Sequence, residues 1–316
     1  VTVGGREVRV VDIHAHCEFP ELQSILASTN LEDVRFRDFV TLSPARIDEM
    51  NRRGIDVQVL SVNQYYWYNA DRDLASQIVD VNDRGLAEWC ETYPDRFVFL
   101  SSPALQFPNL AADQLQRAVE EFGARGASVG GHVDNVPPTA EFFDPFWARA
   151  ESLGVPVFMH PNNAQNVVMA GSLGERHDLG NIIGNPLETT LFLTRMILDG
   201  VLDRFPNLKI CGAHGGGYIT SYLGRSEYAC IRSDDCVNTR PVGDYFKDQI
   251  IVDSMVFSDE GIRHLVAETG PSQVVYGSDL PYTWPDTIDL IVESRHLDDA
   301  TKIAILGGNL IDLLKL

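Results

Sequence analysis

The chain has 316 residues, of which 44% are hydrophobic and 22% charged, which is the composition of a globular protein with a large buried core. Its formal net charge of -20 at pH 7 excludes the basic face that a sequence-independent nucleic-acid binder needs. The sequence carries no signal peptide and no apolar run long enough to cross a membrane. We therefore expect a cytoplasmic protein with no nucleic-acid or membrane partner.

Short runs rich in Val, Ile, Phe and Cys recur along the chain and predict buried strands of a parallel sheet. These runs cover residues 8–14, 57–62, 97–102, 126–131, 155–160, 208–214, 249–254 and 273–279. Segments with helical spacing of apolar residues lie between them, and Gly126 is expected to cap the helix that precedes the fourth strand. The alternation predicts an α/β fold, a (β/α)8 TIM-like barrel formed by residues 1–316 as a single domain.

Two stretches depart from the strand–helix alternation. Residues from about 18 to 45 follow the first strand and read as a small insertion over the mouth of the barrel. Residues 162–185 follow the fifth strand and are rich in Gly and Asn. Both stretches begin at the carboxyl ends of strands, where barrel enzymes keep their functional loops.

The cysteines do not suggest a disulfide framework. There are five of them, an odd number, and one, Cys211, falls inside an apolar strand. We expect reduced cysteines that pack as small hydrophobic side chains.

Ligand-type side chains end several of the predicted strands. His14 and His16 end the first, and residues i and i+2 of a strand point to the same face, so both imidazoles can reach one ion. His160 ends the fifth strand and Asp279 the eighth. This set predicts a divalent transition metal, with Zn²⁺ favoured over Mg²⁺ and Mn²⁺, iron or cobalt able to substitute. The alternatives are a core histidine at His160 and a helix N-cap at Asp279.

His214 ends the sixth predicted strand and is followed by three glycines, which let a substrate approach the backbone closely. We expect His214 to be the general acid/base that acts on a metal-bound water or hydroxide. It would be catalytic together with the ligand Asp279. The alternatives are a further metal ligand and a packed histidine that supports the glycine loop.

The order of these motifs resembles the amidohydrolase-related (amidohydrolase-2) family, in its decarboxylase branch. The resemblance covers essentially the whole chain and is carried by RIDEMNRRGIDVQVLSV (46–62), PVFMHP (156–161), LKICGAHGGGYITSYLGRSEYA (208–229) and VVYGSDLPY (274–282). Within the branch, the chain resembles the α-amino-β-carboxymuconate-ε-semialdehyde decarboxylases.

The resemblance implies a zinc bound by the four predicted ligands and a homodimer. It also implies that Arg46 binds the substrate carboxylate and that Arg225 reaches the active site of the neighbouring subunit. A planar guanidinium suits both roles, because it can donate to both oxygens of a carboxylate. From the residues alone, a surface ion pair is the alternative for each arginine.

Two further substrate contacts are predicted near strand ends. Trp67 belongs to the aromatic run 65–68, which could stack on a planar ring or pack within its own loop. His132 follows the fourth strand and could touch the substrate or have only a structural role. The Asn-rich sequence after His160 differs from the bulkier sequence of the semialdehyde decarboxylases, so the substrate is left open.

The favoured function is a metal-dependent, non-oxidative decarboxylase of an aromatic or muconate-type carboxylic acid. Because the chain is strongly acidic, an anionic substrate has to be attracted locally by the metal and arginine. The alternative is a metal-dependent hydrolase or hydratase of a lactone, amide or unsaturated acid, since the same ligands serve that chemistry. A metal-free binding protein would require every histidine position to be a coincidence.

Overall fold

Parallel strands form the centre of the protein, whose computed structural model describes residues 1–62, 66–162, 168, 171–174 and 177–316. A short antiparallel hairpin, β1 and β2, precedes them. The strands in the described ranges are β1 Thr2–Val3, β2 Arg6–Glu7, β3 Val11–His16, β4 Val57–Ser61, β5 Phe97–Phe99, β6 Ala127–Val129, β7 Val157–Met159, β8 Ile210–Gly212, β9 Ile250–Asp253 and β10 Val274–Val275.

The strands β3 to β10 close into a barrel. β3, β4 and β5 pair in parallel in that order, and so do β6 to β10. Parallel bridges close the remaining gaps, Ser101 with Ala127 between β5 and β6, and Ala15 with Leu280 between β3 and the end of β10. The predicted (β/α)8 barrel is confirmed, and the carboxyl ends of its strands surround one mouth.

Helices connect the strands and cover the outside of the barrel. In the described part of the chain, none of them is long and apolar enough to cross a membrane. They are α1 Leu22–Leu26, α2 Ala45–Arg53, α3 Arg72–Thr92, α4 Pro108–Phe122, α5 Asp144–Leu153, α6 Asn185–Leu198, α7 Val201–Arg204, α8 Leu223–Ile231, α9 Val242–Asp248, α10 Asp259–Thr269, α11 Ile288–Val292, α12 Asp299–Ile303 and α13 Asn309–Leu314.

The observed element boundaries differ from the predicted ones at identifiable points. The eighth predicted strand reached residue 279, but β10 ends at Val275, and Asp279 has left-handed backbone geometry with φ 61°. The predicted cap Gly126 is wrong, because α4 ends at Phe122 and Gly123, with φ 77°, caps it. Gly126 instead precedes β6, where an added Cβ would lie 2.3 Å from the carbonyl oxygen of Pro156.

The expectation of five reduced cysteines is wrong for one pair. Cys230, in α8, forms a disulfide with Cys236 in the loop that follows, at a Cα–Cα distance of 5.5 Å. Cys17, Cys90 and Cys211 are free, and Cys17 and Cys211 are buried as expected. The turn after α8 brings the pair together, and nothing in the spacing of the cysteines indicates that turn.

The insertion predicted at 18–45 contains α1 and a series of turns. Leu22 and Leu26 of α1 are buried in a hydrophobic cluster with Leu74 of α3. A parallel bridge between Glu18 and Thr41 joins the two ends of the segment. The insertion is therefore anchored against the barrel at both ends and through its own short helix.

The buried carboxylate of Asp83, on α3, is expected to make the free energy of unfolding depend on pH. Asp83 is 3% exposed and accepts a hydrogen bond from Ser101 Oγ at 2.9 Å, and burial raises its pKa to about 7. The folded state therefore holds this proton up to about pH 7, whereas the unfolded chain releases it near pH 4. The free energy of unfolding should consequently fall as pH rises through this window.

Asp83→Asn should lack that dependence. Between pH 5 and pH 8 the unfolding free energy of wild type should fall by up to about 3 kcal/mol relative to that of the variant. Urea unfolding of both proteins across this range measures the difference. Asp80→Asn on the same helix is the control, because the hydrogen bond from Arg84 lowers the pKa of Asp80 and it titrates below this window. A stability difference that does not change with pH would contradict the prediction for Asp83.

Candidate metal centre

Four ligand-type side chains meet at the mouth of the barrel. His14 and His16 lie in the last three residues of β3, His160 follows β7, and Asp279 follows β10. All four are buried, and one nitrogen or oxygen atom from each lies within 4.8 Å of the others. The structure thus brings together the four residues that were predicted from sequence as ligands.

The donor atoms of this cluster are suited to a cation. Within the described part of the chain, His14 Nε2 and both ring nitrogens of His16 are buried without a hydrogen-bond partner. Asp279 Oδ1 lies 3.3 Å from His14 Nε2 and 2.7 Å from His16 Nε2, and neither contact has hydrogen-bond geometry. Donors that each bind a transition metal at about 2.0–2.2 Å are separated by about 3 Å, so these contacts fit one shared divalent ion.

Asp279 is fixed in place by the neighbouring strand. Its amide nitrogen donates to the carbonyl oxygen of His14 at 2.8 Å, which holds the left-handed turn after β10 against β3. Burial opposes ionisation, but His14 and His16 hold the pKa of the Asp279 carboxyl well below its usual value. The side chain is therefore an anion at neutral pH, which is the form that binds a metal.

His160 presents a lone pair to the cluster. Its Nδ1 lies 2.9 Å from the carbonyl oxygen of Pro161, so Nδ1 donates its proton there and Nε2 is left to bind. Its ring lies 4.7 Å from that of His16 and 5.0 Å from that of His14, between centroids. Burial and the His16 imidazole lower the pKa of His160 well below its usual value, which keeps it neutral.

His214 lies beside the four ligands. Its ring centroid is 5.2 Å from that of His14 and 5.4 Å from that of His160. The residue is half-buried with φ 56°, and burial together with His14 lowers its pKa to about 4. The imidazole is therefore neutral near pH 7 and able to accept a proton. An added Cβ at Gly217 would lie 2.2 Å from the carbonyl oxygen of Pro186, so this loop position requires a glycine.

Asp253 is a site residue that the sequence analysis missed. It ends β9 and is fully buried, and its Oδ2 lies 2.7 Å from His14 Nδ1. Burial opposes its ionisation, but the hydrogen bond with His14 keeps the pKa of Asp253 below its usual value. Its position at a strand end, like that of Asp279, is the signal that could have identified it.

Residues 11–316 match the amidohydrolase family. The chain belongs to this family. It is 31% identical over 276 residues to 2-amino-3-carboxymuconate-6-semialdehyde decarboxylase of Dictyostelium discoideum, covering 86% of this chain and 76% of that protein. It is 28% identical over 289 residues to gamma-resorcylate decarboxylase of Rhodococcus jostii, covering 87% and 88%. The family recognised from the motifs is confirmed, and these relatives are named as decarboxylases.

A solved amidohydrolase-type barrel has the same fold. The 5-carboxyvanillate decarboxylase of Novosphingobium aromaticivorans superimposes with a TM-score of 0.87 at 22% identity, covering 99% of this chain and 98% of that one. That structure contains manganese and 4-hydroxy-3-methoxy-5-nitrobenzoic acid. At this identity the likeness establishes the fold alone.

In this member of the amidohydrolase family, Arg46 contacts the backbone of the ligand residue His16. It belongs to α2 and is 6% exposed, with Nη2 donating to the carbonyl oxygen of His16 and Nη1 to Gln58 Oε1, both at 2.9 Å. Gln58 Nε2 donates in turn to Asp12 Oδ2 at 2.8 Å. These bonds hold the backbone of a ligand residue, and the contact of Arg46 with the substrate stays a prediction.

The two other predicted substrate contacts lie in different surroundings. Trp67 is buried in the hydrophobic cluster under the insertion, 6.4 Å from the ring of Phe36. His132 lines a cavity of about 190 Å³ together with Glu188 and Arg195, and none of the four ligand residues lines that cavity. Trp67 therefore packs against the insertion rather than only within its own loop. The substrate contacts of both residues stay predictions, and Tyr65 and residues 163–165 lie outside the described ranges.

The insertion places another arginine nearer the mouth. Arg37 donates through Nε to Glu18 Oε1 at 3.0 Å, and its guanidinium lies 5.7 Å from the centroid of the Tyr282 ring. The Tyr282 ring is 5.1 Å from that of His16. The Arg37 side chain is 33% exposed, and it also forms an ion pair with the buried Glu18 through Nη2. Sequence analysis missed this arginine, because the insertion has no regular pattern that would orient it.

Arg225 lies on the outside of the protein. It is exposed on α8, on the same side of the helix as Tyr228 and Ile231, which are each 72% exposed. An exposed aromatic and an exposed aliphatic side chain next to each other are typical of a contact surface. The role of Arg225 in a neighbouring subunit stays a prediction.

Proposed function

We propose that this chain is a metal-dependent, non-oxidative decarboxylase of an aromatic or muconate-type carboxylic acid. The observation that best supports this function is the grouping of His14, His16, His160 and Asp279 with a neutral His214 beside them. Its amidohydrolase relatives, which are named as decarboxylases, point to the same reaction class.

We propose zinc as the resident metal. Three imidazoles among the four donors favour zinc, and manganese is the alternative, since a structurally similar decarboxylase contains it. When bound, the metal would act as a Lewis acid that withdraws electron density from substrate oxygen atoms.

His214 takes up a proton from solvent and passes it to the carbon that bears the carboxylate. Protonation leaves the adjoining π system of the substrate electron-deficient, so the bond to the carboxylate breaks and its electron pair enters that π system. CO₂ leaves and the proton stays in its place, which balances the reaction without an oxidant. The low pKa of His214 means that it takes up a proton only transiently.

Arginines from two subunits are proposed to bind the substrate carboxylate, Arg46 from one and Arg225 from the other. Arg37 is a further candidate, because it is partly exposed and lies over Tyr282, whose ring contacts His16. Arg225 would come from a second copy of the chain, docked through the exposed side of α8. A homodimer of this kind would compensate locally for the strong negative charge of the chain.

Incubating the zinc-loaded and the manganese-loaded protein with hydroxybenzoates, carboxymuconates and lactones tests the proposed reaction. We expect mass spectrometry to show loss of CO₂ from at least one acid, with no turnover by the chelated protein. Gain of water by a lactone or unsaturated acid would replace the decarboxylase with the hydrolase or hydratase alternative. Replacing Asp279 with Ala provides a control in which one ligand is missing.

A further inference from the structure

The carboxylate of Asp253 connects two parts of the metal centre. Oδ2 accepts hydrogen bonds from His14 Nδ1 at 2.7 Å and from the backbone amide of His214 at 3.1 Å. Oδ1 accepts from the amides of Gly215 at 2.8 Å and Met255 at 3.1 Å. One buried side chain therefore binds both a metal-ligand ring and the backbone of the proposed acid/base.

The hydrogen bond between His14 Nδ1 and Asp253 determines which ring nitrogen of His14 carries the proton. Because Asp253 Oδ2 accepts the proton of Nδ1, the nitrogen that is left to bind a metal is Nε2, the atom that faces Asp279. Carboxylates in this position orient a ligand ring and increase its basicity. Gly277 leaves room for the pair, since an added Cβ would lie 2.9 Å from His14 Cβ and 3.1 Å from Asp253 Cβ.

The hydrogen bond from the His214 amide to Asp253 stabilises an unfavourable backbone conformation. His214 has φ 56° and Gly215 has φ 63°, and the left-handed conformation is unfavourable for His214 because it is not a glycine. The amides of both residues donate to the Asp253 carboxylate, and these charge-assisted bonds offset that cost.

We propose that Asp253 is a positioning residue that couples the metal site to His214, because it orients the ring of one ligand and holds the backbone of the acid/base. The inference rests on the proposed role of His214. An ordinary structural aspartate would stabilise the fold without affecting both the metal and the glycine loop. The coupling predicts that both are disturbed together when the carboxylate is lost.

Asp253→Asn is the variant that tests the coupling. The asparagine side chain has only one acceptor oxygen, so its NH2 group must face either His14 Nδ1 and the His214 amide or the amides of Gly215 and Met255, and at least one backbone hydrogen bond of this group is lost in either orientation. We expect the metal dissociation constant, measured by chelator competition, to rise about 10–100-fold and the visible spectrum of the cobalt-substituted protein to change. Backbone hydrogen exchange in residues 213–218 should be faster than in wild type even at saturating metal.

Two other variants serve as controls. His214→Asn should keep the metal affinity, and Asp83→Asn should keep both the affinity and the exchange rate of the loop, since Asp83 lies on α3. If Asp253→Asn does not fold, the same measurements on Gly277→Ala test the inference, because this change keeps every ligand but separates His14 from Asp253. A metal affinity within twofold of wild type, or an unchanged exchange rate, would overturn the coupling. Neither readout uses substrate, so a failed decarboxylase assay leaves this test intact.

Discussion

Replacing His214 with asparagine is expected to lower kcat by about 10²–10⁴-fold while the metal remains bound. Asparagine cannot exchange a proton near neutral pH, and the four ligand residues are all retained. The ring of His214 is 5.2 Å from that of His14, close enough to serve the same substrate without belonging to the ligand group. Steady-state kinetics and metal analysis of the same preparation measure the two effects.

His296→Asn is the matched control for this substitution. His296 is exposed and lies 3.6 Å from Asp259 on the outer surface, so its replacement should leave kcat unchanged. If His214→Asn retained kcat within tenfold of wild type, another group would have to move the proton. If that variant lost the metal, His214 would be assigned as a ligand.

Removing the metal is expected to abolish turnover and lower the melting temperature by about 5–10 °C. A ligand that binds only the folded state stabilises it by about 2.7 kcal/mol when its concentration is 100 times its dissociation constant. The effect should be large here because His14 Nε2 and the His16 nitrogens are buried without protein hydrogen-bond partners in the described ranges. Calorimetry before and after chelation, followed by addition of zinc or manganese, measures the loss and identifies the effective metal.

Asp279→Ala is the control for the thermal shift. Without its carboxylate the metal binds more weakly, so chelation should change the melting temperature of this variant much less than that of wild type. An identical melting temperature for chelated and loaded wild-type protein would argue against a metal bound in this cluster. Recovery of turnover with one metal alone would show which ion the site uses.

The barrel and the ligand cluster could be predicted because their signals are local. His14 and His16 have the strand spacing that directs two side chains to one face, and His160 and Asp279 follow other buried runs. In a parallel barrel all such strand ends meet at one mouth, so sequence position alone implies spatial proximity. The described structure places these residues together for that reason.

Other features depend on tertiary contacts that have no local pattern. Asp253 and Asp279 both follow hydrophobic runs, and only the fold distinguishes the acceptor behind His14 from the residue grouped with the ligands. The direction of Arg46 is set by its contacts with Gln58 and the His16 carbonyl. The contact between Cys230 and Cys236 likewise depends on the path of the loop after α8.

The closure of the barrel determines when the metal centre can form during synthesis. Ser278 donates to Asp12 across 266 residues of sequence, and Asp279 donates its amide to the carbonyl of His14 at the same seam. A nascent chain emerges from its amino terminus, so His14 and His16 are made long before Asp279 reaches them. The complete ligand set exists only after Asp279 has left the ribosome and the barrel has closed. Metal loading is therefore a late event in the maturation of this protein.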